Sequence, residues 1–172
     1  MTSATGLGAM IFLLITLTIT PVRKLTGWQW LLKLRRVFGR FTFLYAAVHV
    51  MTYIVSDKVY SWTRFTEVFA QRPAMIYGII GFVLMIPMIL TSNTYMTKSL
   101  GSERWQLIHK AIYIVSIAAL IHYFIATKNV TGAMISAFVL ALLLGIRLFW
   151  YLQEKIPLYF KKRTLQPIDD II

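Results

Sequence analysis

The stretch LGSERWQLIHKAIYIVSIAALIHYFIA, residues 100–126, decides the fold. From Trp105 to Ala126 its only lysine, arginine or acid is Lys110, and the segment is long enough as a helix to cross the hydrocarbon core of a bilayer. Ser102, followed by Glu103 and Arg104, supplies a polar opening to that helix. Two histidines, His109 and His122, lie inside it. An imidazole in hydrocarbon is costly unless its ring nitrogens are occupied, so both positions ask for partners.

Four more segments of the same kind surround this one. They run from about Ala4 to Thr20, Val37 to Val55, Ala74 to Thr91 and Thr131 to Tyr151. With 58% hydrophobic and 14% charged residues and a mean hydropathy of +0.68, the 172-residue chain is far more apolar than a soluble domain requires. The expected fold is all-α: an integral membrane bundle of about five transmembrane helices over residues 1–151, followed by a tail over 152–172 too short to fold alone. Pro21 is expected to end the first span. The basic link VRKLTGWQWLLKLRR should lie on the surface with Trp28 and Trp30 at headgroup level. Between the second and third spans SDKVYSWTRFTEVFAQRP suits a short interfacial helix, and SNTYMTKSLGSER reads as a turn-rich loop. The chain opens without a charged leader region or small-residue cleavage motif, so no signal peptide is expected.

A net charge of +12 could suggest nucleic acid, but the cations sit beside apolar spans, where topology accounts for them and no nucleic-acid partner is expected. Fourteen of the eighteen lysines and arginines fall in the link between the first and second spans, that between the third and fourth, and the final helix edge and tail. Only Lys58, Arg64, Arg72 and Lys128 fall on the other side. The positive-inside rule then puts the amino terminus outside and the tail in the cytoplasm.

With that orientation the second and fourth spans both run outward. His49 lies thirteen residues beyond Arg36 and His122 thirteen beyond His109, roughly 20 Å in each case, so His49 and His122 share a level in the outer half. Two imidazoles facing each other at one depth can clamp a haem iron from both sides. The chain has no cysteine, which excludes thiolate-ligated haem and iron–sulfur clusters. The alternative is that each histidine bonds only carbonyls or the neighbouring Tyr45, Tyr53, Tyr113 or Tyr123; matched depth favours the shared metal. His109 lies near the inner end, where a second haem would need another ligand. The corresponding position holds Arg36, and thirteen residues leave His109 and His122 roughly 140° apart around an ideal helix. One haem is expected, with His49 and His122 as metal ligands, and His109 as the ligand of a second if a kink or overwinding aligns it.

Arg35, Arg36 and Arg40 read first as headgroup anchors, and second as partners for haem propionates or a cofactor phosphate, which guanidinium forks match. Arg147 is expected to snorkel. There is no nucleophile pattern, phosphate loop, zinc motif or GxGxxG fingerprint, so nicotinamide chemistry has no visible support.

The segments ITPVRKLTGWQWLLKLRRVFGRFTFLYAAVHVMTY, RPAMIYGIIGFVLMIPMILTS and LGSERWQLIHKAIYIVSIAALIHY, with LRR, AxxH, TS, RWxxxH and HY in that order, resemble the MsrQ (YedZ) family. The resemblance implies a ferric-reductase-like transmembrane domain in the bacterial inner membrane. It implies b-type haem, FMN without assignable contacts, and His49, His109 and His122 at the family's histidine positions. It further implies that the chain is an electron-transfer subunit, relaying electrons from the quinol pool to a periplasmic molybdopterin subunit, MsrP, where methionine sulfoxide in envelope proteins is reduced. Members usually have six spans; this chain opens within what resembles the second, with its histidine helices intact. Two other functions compete: a ferric or oxygen reductase, and a non-redox scaffold or transporter using its histidines as proton relays.

Overall fold

A computed structural model of the protein describes the backbone of residues 2–164 and the side chains of 4–154. Seven helices follow one another: α1 Thr2–Thr26, α2 Leu31–Ser56, α3 Trp62–Gln71, α4 Ala74–Leu90, α5 Thr94–His109, α6 Ile112–Ala126 and α7 Val130–Thr164. There is no strand among the described residues. Membrane length and apolarity are met by Ala4–Thr26, Leu31–Ser56, Thr94–Ala126 and Val130–Glu154. Helix α4, with 17 residues, is about 25 Å long, at the short end of the spanning range; four helices meet the full criterion, and the count is five when α4 with the bent helix before it is taken as one span. The outward surface is apolar, as a lipid solvent requires: Met51, Val83 and Phe138 are all more than half exposed.

Two helix pairs and one supporting helix build the bundle. In the first pair α1 packs along α2. Gly8 receives the ring of Tyr45 so closely that a Cβ there would lie 2.5 Å from it, and Phe12 stacks on Phe38 and Phe41. In the second pair α4 packs along α6, where Gly81 lets the two backbones approach at Ala118. Helix α7 closes the back against α1 and α6. The core sits there, with Met10, Leu13 and Leu17 of α1 meeting Ile112 of α6 and Leu140 and Leu143 of α7. Facing each other across the space between the pairs, α2 and α6 do not pack tightly together.

Several boundaries depart from the sequence reading. Pro21 does not end the first helix, which continues to Thr26. Proline removes the N–H that would bond the carbonyl of Leu17, one turn back. Arg147 replaces it, donating from Nη2 to that oxygen at 2.6 Å. Arg147 therefore turns into the bundle rather than snorkelling. The basic link lies on the surface as expected, most of its residues exposed, but it is largely helical: α1 and α2 absorb its arginines and leave only residues 27–30 between them. Gly27 makes so short a turn by adopting φ +75°, its N–H bonding the Arg23 carbonyl at 2.9 Å in the manner of a left-handed helix cap. Trp28 and Trp30 stack beside it, both half exposed.

The segment after the third span is helical, not a loop. Asn93 caps α5 by accepting from the Met96 N–H at 2.7 Å, and the helix is broken only at Gly101, the residue before the expected start at Ser102. The interfacial helix forms as α3, bent 117° from α4. Ser61 caps it, and Trp62, Phe65 and Phe69 stack along one side. Finally, α7 passes Tyr151 without a break and reaches Thr164; residues 165–172, the end of the expected tail, lie outside the described residues.

Candidate functional site

His49 of α2 and His122 of α6 point at each other across the space between the helix pairs. Their ring centres are 6.0 Å apart and their planes nearly perpendicular, at 80°. Both line a cavity of about 1120 Å³. Asp57 and Thr127, just past the C-terminal ends of α2 and α6, border this cavity, while Leu32 and Ile112, near their N-terminal ends, border a second one. The two helices thus run in the same direction, and the shared depth read from the sequence is what the fold delivers.

Each ring is held from behind. A carbonyl only accepts, so in the 2.7 Å contact His122 Nδ1 donates to the Ala74 oxygen, which leaves Nε2 as the nitrogen that could take a ligand. His49 Nδ1 lies 3.4 Å from the Thr5 hydroxyl. Ligand histidines are oriented by such second contacts. Glycines make the room: a Cβ on Gly78 would lie 2.9 Å from His122 Nδ1, and one on Gly6 would lie 3.1 Å from His49 Cε1.

This arrangement fits an axial pair for haem. Two imidazoles that share one metal, each at about 2.0–2.1 Å, hold their ring centres roughly 6 Å apart. Among the described residues no three histidines, cysteines or carboxylates converge, so the protein offers two nitrogens in an apolar cavity. That donor set matches a metal whose other ligands come from a macrocycle. At the mouth beside the C-terminal ends of α2 and α6, Asp57 and Arg72 form a two-pronged ion pair, with N···O distances of 2.8 and 3.2 Å, that ties the end of α2 to the start of α4. Arg72 also donates to the Tyr53 hydroxyl at 3.3 Å. The hydrogen bonds to Asp57 hold the Arg72 pKa above its ordinary value.

His109 belongs to a different cavity. This second space, about 390 Å³, is lined by His109, Arg35, Arg36 and Trp105, and it meets the first at Thr42 and Met85. The helix tightens where the sequence needed it to. Lys110, Ala111 and Tyr113 all donate to carbonyls three residues back, and three such residues recover roughly 60° of the roughly 140° between His109 and His122. His109 Nδ1 donates to the Trp105 carbonyl at 3.1 Å, and its ring stacks on the Trp105 indole at 4.0 Å. Trp105 in turn donates to the Thr91 carbonyl at 3.0 Å, anchoring α5 to the end of α4. Arg36 is exposed at the rim, and Arg40 donates to the Ser92 carbonyl at 3.2 Å. No second histidine faces His109.

Sequence reasoning found the histidines but not what holds them. The Ala74 carbonyl carries no sequence signal at all. Gly78 is visible in the sequence only as one small residue among others in a membrane helix, and the Asp57–Arg72 clamp joins residues from separate elements.

Residues 4–120 match the ferric reductase like transmembrane component family. Among characterised sequences, the chain is 38% identical over 158 residues to the protein-methionine-sulfoxide reductase heme-binding subunit MsrQ of Azospira oryzae, covering 92% of this chain and 67% of that protein. The proteins of the same name from Ralstonia nicotianae and Herminiimonas arsenicoxydans are each 35% identical, with 87% and 90% of this chain aligned to 70% and 72% of theirs. No solved structure matches the chain.

Proposed function

The chain belongs to the MsrQ family of ferric-reductase-like membrane proteins, and from that premise we propose that it is the haem-carrying electron-transfer subunit of a methionine sulfoxide reductase system. In this reading it sits in the bacterial inner membrane with its amino terminus outside and residues 152–172 on the cytoplasmic side. Electrons enter from the quinol pool and leave to a periplasmic molybdopterin subunit, MsrP, which carries out the sulfoxide reduction. His49 and His122 are the axial ligands of a b-type haem. His109 and Arg36 serve the inner cavity, as ligand or partner of a second haem, and FMN is the further cofactor implied by the family.

The observation that carries the reading is the 6.0 Å spacing of two imidazoles, from two parallel helices, inside a large apolar cavity. Haem, when bound, supplies one-electron exchange. The chain's own residues do the rest. Ala74 fixes which nitrogen of His122 faces the cavity, and Gly6 and Gly78 leave space for the two rings. A metal held by both imidazoles would be left without a position for substrate, which suits relay rather than catalysis. The cavity extends to Asp57, Arg72 and Thr127, so the site lies near the mouth from which an outer acceptor would draw electrons.

Reduced-minus-oxidised spectra of the purified chain test this directly. They should show a low-spin, bis-histidine b-type signature. His49→Ala and His122→Ala should each remove nearly all of it while helix content is retained. A folded protein without haem, or either variant with wild-type haem content, would refute the assignment.

A further inference from the structure

Trp105 of α5 makes three contacts, two of them to a single imidazole and the third to the end of a neighbouring helix. Its carbonyl accepts from His109 Nδ1 at 3.1 Å, and its indole lies along the face of the same ring, with 4.0 Å between centres and 23° between planes. The indole N–H, which can only donate, reaches the Thr91 carbonyl at 3.0 Å. Thr91 is buried just past the end of α4, where a helix leaves its last carbonyls without partners of its own.

These contacts decide what His109 can offer. With Nδ1 donating to a carbonyl, Nε2 is the ring nitrogen left to meet a ligand, and His109 and Trp105 together line the inner cavity of about 390 Å³. An imidazole bonded through Nδ1 alone can still swing about that bond. The flat indole against its face removes this freedom. Helix α4 then holds one imidazole of each cavity: Ala74 at its start accepts from His122, and Thr91 past its end accepts from the residue that carries His109. Partners behind a ligand histidine set its tautomer and its direction.

We propose that Trp105 is the positioning residue of His109: it locks the imidazole in the Nδ1–H tautomer, presents Nε2 to the inner cavity, and ties that nitrogen to α4. That His109 serves as a ligand in this cavity is the premise taken from the proposed function. The orientation of its ring, however, belongs to the unloaded chain and is measurable without any cofactor. A residue that merely capped α4 would leave the imidazole unaffected. Phenylalanine and leucine would then replace it equally badly, since neither carries the N–H.

The test is nitrogen NMR of the full chain in detergent, isotope-labelled only in its three histidines, at about pH 8, above the ordinary imidazole range. His109→Gln assigns the signals. Wild-type His109 should show one protonated and one bare nitrogen, and its ring protons should be shifted upfield by the indole. Trp105→Phe should keep a single tautomer because a flat ring remains, whereas Trp105→Leu should give two nitrogens with averaged signals. Haem titration of the same proteins reads the consequence for binding: uptake beyond the His49–His122 site should weaken about tenfold in Trp105→Leu, with the first site unchanged. A wild-type chain that takes up a single haem refutes the second-haem reading, and the nitrogen signals then decide the role of Trp105. An unshifted, tautomer-averaged His109 in the wild type overturns the proposal even if the leucine variant does not fold. A leucine variant with the wild-type nitrogen pattern overturns it too. So does equal disturbance by phenylalanine and leucine, since loss of the N–H alone would account for both.

Discussion

Gly78 is where a single atom would matter most. A methyl group there would lie 2.9 Å from His122 Nδ1, inside contact distance, and on the very nitrogen bonded to the Ala74 carbonyl. Gly78→Ala should therefore push the ring off its hydrogen bond without emptying the core, because the glycine faces the cavity and not the α1–α6–α7 cluster. Haem affinity should fall by about tenfold or more, as losses of contacts behind a metal ligand do. Haem titration of the apoprotein measures this, and helix content should be unchanged. An unaltered affinity would mean that His122 does not need its present orientation. The histidines themselves were legible because a titratable ring is conspicuous in hydrocarbon. The glycine was not, because its role exists only in relation to a side chain on another helix.

Among the elements, α1 and α7 depend on one another through an absent N–H. Pro21 leaves the Leu17 carbonyl without its helical donor, and in a membrane interior an unsatisfied carbonyl is not solvated by water. Arg147 supplies the bond. Removing the guanidinium in Arg147→Met should destabilise the fold by about 1–3 kcal/mol. In a Pro21→Ala background the backbone restores its own donor, so the same change should cost much less. A double-mutant cycle in detergent unfolding measures the coupling, and additive effects would show that the carbonyl is satisfied without Arg147. The sequence suggested a helix stop at Pro21 because local rules see only the missing donor. The replacement comes from a residue 130 positions away in the chain.

At the scale of the molecule, the charge asymmetry and the two cavities give a polarity. The His49–His122 cavity opens beside Asp57, Arg72 and Thr127, where cations are few, and the His109 cavity borders the arginine-rich end. If the positive-inside rule holds, single cysteines in the cysteine-free chain report it: Lys58→Cys and Lys128→Cys should label from the outer face, and Gln29→Cys only after the membrane is opened. The reverse pattern would place the paired histidines near the cytoplasm and remove the route to an outer acceptor.

Composition, span length and charge bias were enough for an all-helical membrane bundle of about five spans, since the solvent imposes those properties on every lipid-facing residue alike. The matched depth of His49 and His122 was also accessible, because rise per residue is nearly constant along a helix. Azimuth was not. Whether the two rings meet depends on how α1–α2 and α4–α6 pack, on glycines that admit neighbours, and on a tightened turn at Lys110 and Ala111 that rotates His109 relative to His122. Those are relations between distant residues, set by close packing in three dimensions, and one-dimensional periodicity carries no record of them.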